Sequence, residues 1–143
     1  MQNTRLYATQ TSKPMTDFLR DLSKAGEQRG FLIHNEDKME MGHTFGRHGI
    51  EVAEDFDLHM IQICNPNKAA ASLSANPERA ALMPKFITTF SKNGMLQIRM
   101  MTYGQELIQE LIGDPDFAQS VQASYRAIID TIEEAKSNGT NAS

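Results

Sequence analysis

Several residue types that define common protein classes are rare in this sequence or missing from it. The 143 residues contain one cysteine, Cys64, and no tryptophan. A single cysteine excludes an internal disulfide and any zinc site built from several cysteines. Because small exported domains commonly depend on disulfides, this composition favours a cytoplasmic protein.

Long hydrophobic runs and clusters of basic residues are also missing. No stretch reaches the roughly 18 apolar residues of a membrane helix, and the first 15 residues lack the apolar segment of a signal peptide. We therefore expect no membrane contact and a cytoplasmic location, unless a signal peptide has been removed. The formal net charge is −4 and the 14 basic residues are scattered. This argues against nucleic-acid binding, which needs clustered lysine and arginine.

The remaining sequence alternates between strand and helix patterns and fits one domain. We predict one α+β domain over residues 1–136 and a flexible tail over 137–143. The predicted elements, in chain order, are a strand at 5–9, a helix from 12 to 30, strands at 31–35 and 57–64, helices that begin at 65 and 76, strands at 86–91 and 95–101, a helix at 104–112 and a last helix after 114. The stretch 36–49 is either a loose helix or a loop.

Short local motifs mark the boundaries of these elements. Asn65-Pro66, Asn76-Pro77 and Asp114-Pro115 each place a capping side chain before a proline that suits the first helical position. Asn93-Gly94 predicts a tight β-hairpin, because both turn residues of a type I′ turn need positive φ.

The order of the elements predicts how the sheet is covered. A single antiparallel sheet with the first and last helices on one face leaves its other face to solvent, a ligand or a second subunit. We therefore expect function on this open face. The last helix carries an apolar stripe, which consists of Phe117, Val121, Tyr125, Ile128 and Ile132.

A group of motifs follows the central strand. Cys64-Asn65-Pro66, with Ala69 and Leu73 behind it, precedes Asn76-Pro77-Glu78 and Leu82-Met83-Pro84. Together with the helix that ends at Gly30-Phe31, this pattern resembles the family named domain of unknown function 302. The resemblance covers roughly residues 14–101 and leaves out the last helix.

This resemblance implies a β-α-β4-α arrangement of the TATA-binding-protein fold group, often seen as a homodimer, and it implies no particular activity. Many relatives carry a cysteine directly after the proline that Pro84 matches, where this chain has Lys85. A two-thiol redox or metal role is therefore not expected here.

Cys64 is the one candidate for a catalytic residue. It lies at the end of the predicted central strand, directly before a capped helix. The positive end of a helix dipole favours a nucleophilic thiolate, which would serve thiol or sulfur transfer. The alternative is a small buried apolar residue, the usual role of a free cysteine.

The densest group of soft metal donors lies in the polar crossover. It consists of His43, His48, Met39 and Met41, with His34 nearby in sequence. Imidazole and thioether together suit copper(I) or haem iron. The five-residue spacing of the two histidines does not fit one helical face, so a loop would have to bring them together. Otherwise the crossover is solvated and its methionines cover the core.

Three further residues are candidates for ligand binding. Gln97 and Arg99 alternate with apolar residues and should point to the open face, where Arg99 could hold a carboxylate or phosphate. A surface arginine paired with a neighbouring acid is the alternative. His59 lies on the central strand in phase with two isoleucines. It is either a ligand-binding residue or a hydrogen-bonded core histidine.

We therefore expect a binding module rather than an enzyme. It would be a homodimer that binds a small ligand, a soft metal or haem on the open face. The alternatives are an enzyme that uses Cys64 and an interaction module that uses the apolar stripe of the last helix. The sequence contains no phosphate-binding glycine loop, dinucleotide fingerprint, nucleophile elbow or zinc-protease motif.

Overall fold

The computed structural model describes residues 4–141, with side chains described for residues 4–137. The strands are β1 (Arg5–Thr11), β2 (Leu32–Ile33), β3 (Leu58–Cys64), β4 (Lys85–Lys92) and β5 (Met95–Thr102). The helices are α1 (Met15–Glu27), α2 (Met41–Arg47), α3 (Pro66–Ala75), α4 (Gln105–Ile112) and α5 (Pro115–Asn141), and a 3-10 turn spans Pro77–Leu82. No helix in this described part is long and apolar enough to cross a membrane.

The five strands form one antiparallel sheet in the order β1-β5-β4-β3-β2. Helices α1 and α5 pack against each other over one face, which we call the helix-covered face. The opposite side is the open face. The predicted α+β class, with one antiparallel sheet, is confirmed.

The core lies between the helix-covered face and the two long helices. Alternate strand residues such as Ile61, Ile87 and Ile98 are fully buried there, as is Phe18 of α1. The stripe of α5 is buried in the same cluster. The prediction that this stripe binds a partner is therefore incompatible with the structure, because the chain's own sheet already covers it.

The predicted helix caps are present. The side chain of Asn65 accepts a hydrogen bond from the backbone N–H of Lys68 at 3.2 Å at the start of α3. Asn76 accepts one from the N–H of Glu78 at 3.1 Å and begins the 3-10 turn. Each cap satisfies a backbone donor that the first helical turn leaves without a partner.

Asp114 caps α5 and also ties it to the 3-10 turn. Its Oδ1 accepts from the N–H of Phe117 at 3.1 Å, and its Oδ2 accepts from Arg79 Nε at 2.7 Å and from Asn76 Nδ2 at 2.8 Å. The bond from Arg79, followed by that from Asn76, lowers the pKa of Asp114 well below its usual range.

The predicted hairpin joins β4 to β5. Asn93 and Gly94 have φ angles of 58° and 74°, as a type I′ turn requires. The turn sets the pairing of Lys92 with Met95 and so fixes which residues of both strands face the helices.

Two segments differ from the prediction. The strand predicted at 31–35 shortens to Leu32–Ile33, which pairs only with the end of β3. The undecided stretch 36–49 contains the short helix α2, whose first N–H groups bond to the carboxylate of Glu40. Glutamate is not one of the residues that commonly cap helices, so this start had no clear sequence signal.

Helix α5 extends into the segment that was predicted to be a flexible tail. The helix continues to Asn141, and residues 142–143 lie outside the described residues. The flexible tail over 137–143 therefore stays a prediction.

A mostly buried ion pair holds the two covering helices together. Lys13 Nζ donates to Asp21 Oδ2 of α1 at 2.7 Å and to the backbone carbonyl of Ala135 of α5 at 2.5 Å. The side chains of Lys13 and Asp21 are 9% and 8% exposed. The hydrogen bond from Lys13 lowers the pKa of Asp21, although burial opposes this shift.

Candidate functional site

The strand register arranges the open face in rows. One row runs across four strands through directly paired residues: Ala8, Arg99, Thr88 and Met60. The next row consists of Gln10, Gln97, Phe90 and Leu58. Arg99 and Gln97 are thus neighbours on the open face, as the alternation of β5 predicted.

The guanidinium of Arg99 is hydrogen-bonded to the sheet. Its Nη1 donates to the backbone carbonyls of Thr9 and Ile98 at 3.1 and 3.0 Å, and its Nη2 donates to Gln97 Oε1 at 3.3 Å. Its Cζ lies 5.3 Å from the centre of the Phe90 ring. Arg99 takes part in none of the ion pairs found among the described residues. The neighbouring acid that would have explained a surface arginine is therefore not seen.

Gln97 orients Arg99 rather than facing solvent. Its side chain is buried, and its Nε2 donates to Gln10 Oε1 and to the carbonyl of Lys92, both at 3.0 Å. Both ends of the amide are therefore occupied. Its Oε1 also accepts the bond from Arg99 Nη2, so Gln97 helps to fix the position of that guanidinium.

Arg99 lies in a groove of about 350 Å³ at one end of the open face, which we call the Arg99 groove. Its walls come from β1, β4, β5, α5, the 3-10 turn and the segment after that turn, and they include Leu6, Leu82, Pro84, Phe86, Thr88 and Met101. Leu6, Met101 and Phe86 are 57%, 42% and 38% exposed. The groove therefore combines exposed apolar walls with two basic side chains, Arg99 and Lys85.

His59 does not belong to this groove. It alternates with Met60 and so lies on the helix-covered face, in phase with Ile61. Its Nδ1 is buried without a hydrogen bond in the described residues, and it lies 3.5 Å from Asp57 Oδ1. The structure thus brings Arg99 and Gln97 together and separates His59 from both.

The four predicted metal donors have different surroundings. Met39 is buried in the hydrophobic core, whereas His43 and His48 are exposed and Met41 begins α2. Five residues along a helix turn its side chains about 140° apart. Within residues 4–137, no group of three or more His, Cys, Asp or Glu side chains could hold a metal ion.

Cys64 lies at the end of β3 and is half-buried, directly before the capped start of α3. It borders a second space, a cavity of about 330 Å³ between α3 and α5, which we call the Lys85 cavity. Lys85 lies beside it, and burial lowers the pKa of Lys85 while charge on Cys64 opposes this shift.

Sequence reasoning had missed Lys85 as a candidate functional residue. Its signal was the alternation of β4, because Lys85 is in phase with the buried residues Ile87 and Thr89. A lysine at such a position points toward the helices instead of solvent.

The arrangement described so far defines a small single-sheet α+β protein with one uncovered face. The family model named domain of unknown function DUF302 matches residues 7–135, and the chain belongs to this family. The match is longer than the predicted 14–101 and includes most of the last helix. In this chain, the apolar stripe of that helix covers the sheet.

Comparison with known proteins adds a structural relative. The crystal structure of an uncharacterized conserved DUF302 protein from Bacillus stearothermophilus superposes with a TM-score of 0.74 at 18% sequence identity. The alignment covers 91% of this chain and 97% of that one. No curated protein matches the sequence. At this identity the likeness supports the fold alone.

Proposed function

We propose that the protein is a binding module that holds a small organic anion with an apolar tail in the Arg99 groove. The observation that carries this proposal is the guanidinium of Arg99, which lies among apolar walls without a carboxylate partner in the described residues. Guanidinium groups favour carboxylate and phosphate ligands because several N–H donors can bond the same anion.

Binding without catalysis fits this groove better than an enzyme does. Its lining brings Arg99 and Lys85 together with Thr88 and aliphatic or aromatic side chains, and no cysteine, histidine or carboxylate lines it. We prefer an anion to a soft metal or haem because the histidines and methionines of the crossover do not converge on the open face. A cytoplasmic location stays a prediction, which the single cysteine favours.

Titration calorimetry with octanoate tests this proposal, with octanol and octylamine as neutral and cationic ligands of similar size. We expect octanoate to bind most tightly and Arg99→Gln to weaken it by about tenfold or more, as expected for a lost charged hydrogen bond. Arg126→Gln is the matched control, because Arg126 is exposed on α5, away from the groove. Equal affinity for octanol, or an unchanged affinity in Arg99→Gln, would contradict the proposal.

A second candidate function, favoured by the exposure of the groove walls, is self-association through the open face. Leu6 and Met101 are directly paired across β1 and β5, and both are exposed beside Phe86. Contiguous exposed apolar side chains are typical of an interface. The family resemblance to homodimers points the same way.

Light scattering after size exclusion tests this homodimer. We expect a dimer that Leu6→Glu converts to a monomer, because a carboxylate would be buried in the contact. Leu111→Glu is the control, since Leu111 is 60% exposed on α4. A monomeric wild-type protein, or equal effects of the two variants, would show that the open face is not a self-association surface.

A further inference from the structure

Lys85 has an unusual position for a lysine. It is the first residue of β4 and pairs with Ile63 of β3, whose side chain is buried on the helix-covered face. The alternation of β4 sends its side chain toward α5, where Tyr125 lies. Lys85 is half-buried, and a lysine withdrawn from solvent usually has an acid beside it.

The amine has few partners there. Its Nζ donates to the carbonyl of Met83 at 3.2 Å and lies 5.9 Å from the centre of the Tyr125 ring. None of the ion pairs in the described part of the chain includes Lys85. The protonated form therefore has one carbonyl and one aromatic face in place of a counter-ion.

The titratable or charged side chains that line the two spaces beside this amine are Cys64, Lys68, Arg99, Tyr103 and Tyr125. Burial lowers the pKa of Lys85, and charge on Cys64 opposes the shift in part. Burial raises the pKa of Tyr125, so the phenol stays neutral. Lys68 borders the same cavity but is exposed. A larger share of Lys85 than of a solvated lysine is therefore the free, nucleophilic amine near neutral pH.

The Lys85 cavity gives this amine room for a ligand. Its volume of about 330 Å³ is at the lower end of the range of small-molecule sites. Apolar side chains such as Phe31, Phe117 and Val121 form its walls, and small residues on α3 and α5, such as Ala69 and Ser124, leave the space open.

We propose that the Lys85 cavity binds a short apolar aldehyde, which Lys85 captures as an imine. The lone pair of Nζ attacks the carbonyl carbon and gives a carbinolamine. Loss of the hydroxyl group with a proton then releases one water and leaves a C=N bond. No electron is gained or lost, so the step needs no oxidant or reductant. The apolar walls hold the alkyl chain while the amine reacts with its carbonyl end.

Lys85 borders both this cavity and the Arg99 groove, but the two proposals depend on different functional groups. The amine of Lys85 points to the helix-covered side of the sheet, whereas Arg99 points to the open face. Calorimetry with octanoate reports on Arg99, whereas mapped reductive trapping reports only on the amine of Lys85, so failure of one proposal is distinguishable from failure of the other.

Reductive trapping tests the proposal on the intact protein. Hexanal and sodium cyanoborohydride at pH 7 convert an imine to a stable secondary amine, which peptide mapping by mass spectrometry locates. We expect Lys85 to be modified several-fold faster than the exposed Lys38, because the lowered pKa of Lys85 gives it the larger free-amine fraction and the cavity holds the alkyl chain beside it. The advantage should shrink at pH 10, where solvated lysines are also deprotonated. Equal rates at Lys85 and Lys38 would overturn the proposal.

Matched variants show whether the amine of Lys85 or a neighbouring group reacts with the aldehyde. Lys85→Arg keeps the positive charge and should abolish the fast reaction, whereas Lys68→Arg and Cys64→Ser should retain it. If the fast capture is lost in Cys64→Ser instead, the thiol is the reactive group and the lysine proposal fails.

A further variant tests the cavity without removing the amine. Ser124→Leu fills the space from α5 and should slow capture of hexanal several-fold more than capture of formaldehyde, which needs no alkyl pocket. Equal slowing of both aldehydes would show that the cavity does not bind the alkyl chain. This comparison also holds if Lys85→Arg fails to fold.

Discussion

The two faces of the sheet are built from the same strands but have opposite surroundings. On β5, Ile98 and Met100 are buried under the helices, whereas Arg99 and Met101 at the alternate positions keep contact with solvent. Burial of apolar area, worth about 25 cal/mol per Å², stabilises the fold through the first set. The second set contributes little to the stability of one chain, so its side chains are available for binding.

Among the variants that test this comparison, removal of a core side chain should change the free energy of unfolding most. Ile98→Ala should lower the free energy of unfolding by about 4 kcal/mol, because a fully buried isoleucine leaves a cavity. Met101→Ala on the same strand should change it by less than about 0.5 kcal/mol. Urea unfolding at low protein concentration, where self-association does not contribute, measures both. Similar losses in the two variants would mean that the open face is also packed.

A smaller effect is expected from the ion pair that holds the covering helices. Asp21→Asn leaves the ammonium of Lys13 mostly buried without its anion and should lower the free energy of unfolding by about 2–3 kcal/mol at pH 7. The exposed Arg20 on the same helix pairs with both Asp17 and Asp21, so Asp17→Asn is the control that removes only a solvent-exposed ion pair. Its effect should stay within about 0.5 kcal/mol. Thermal and urea unfolding distinguish the two.

The same pair predicts the acid dependence of stability. The folded pKa of Asp21 is lowered mainly by the hydrogen bond from Lys13. Its contribution is therefore complete above the unfolded pKa of about 3.9 and is lost as the pH falls through the lower folded pKa. Between pH 7 and pH 3 the wild type should lose more stability than Asp21→Asn. If Asp21→Asn loses as much stability as the wild type, Asp21 is not the source of this acid dependence.

The smallest effect concerns the turn that decides which residues reach each face. Gly94→Ala places a Cβ at φ 74° and should cost about 1 kcal/mol. Gly46→Ala is the opposite control: Gly46 lies inside α2 with open space around its Cβ position, and alanine should stabilise the helix by about 0.5–1 kcal/mol. Equal signs for the two variants would show that the positive φ is not what the hairpin needs.

Much of the fold could be predicted because its signals are local. The hairpin at Asn93-Gly94 and the caps at Asn65 and Asp114 depend on residues within a few positions of each other. The start of α2 was missed because Glu40, an uncommon capping residue, provides its cap. The length of β2 was also missed, since an edge strand extends only as far as its neighbour β3 pairs with it.

The candidate site was predictable only in part. Arg99 and Gln97 share a strand face by simple alternation, which the sequence displays. Alternation along β3 also assigns His59 to one face of that strand. Whether this face is the one that carries Arg99 depends on the register among β3, β4 and β5. The predicted metal donors of the crossover do not come together, because Met39 is buried in the core.

The sequence by itself determined the α+β class, the single sheet and the family pattern, because periodicity and turn chemistry act over a few residues. Only the tertiary structure decided that α5 covers the sheet, that Arg99 lies without an acid in the described residues, and that Lys85 borders a cavity between α3 and α5. These features depend on side chains that are far apart along the chain and that meet only when the helices pack against the sheet.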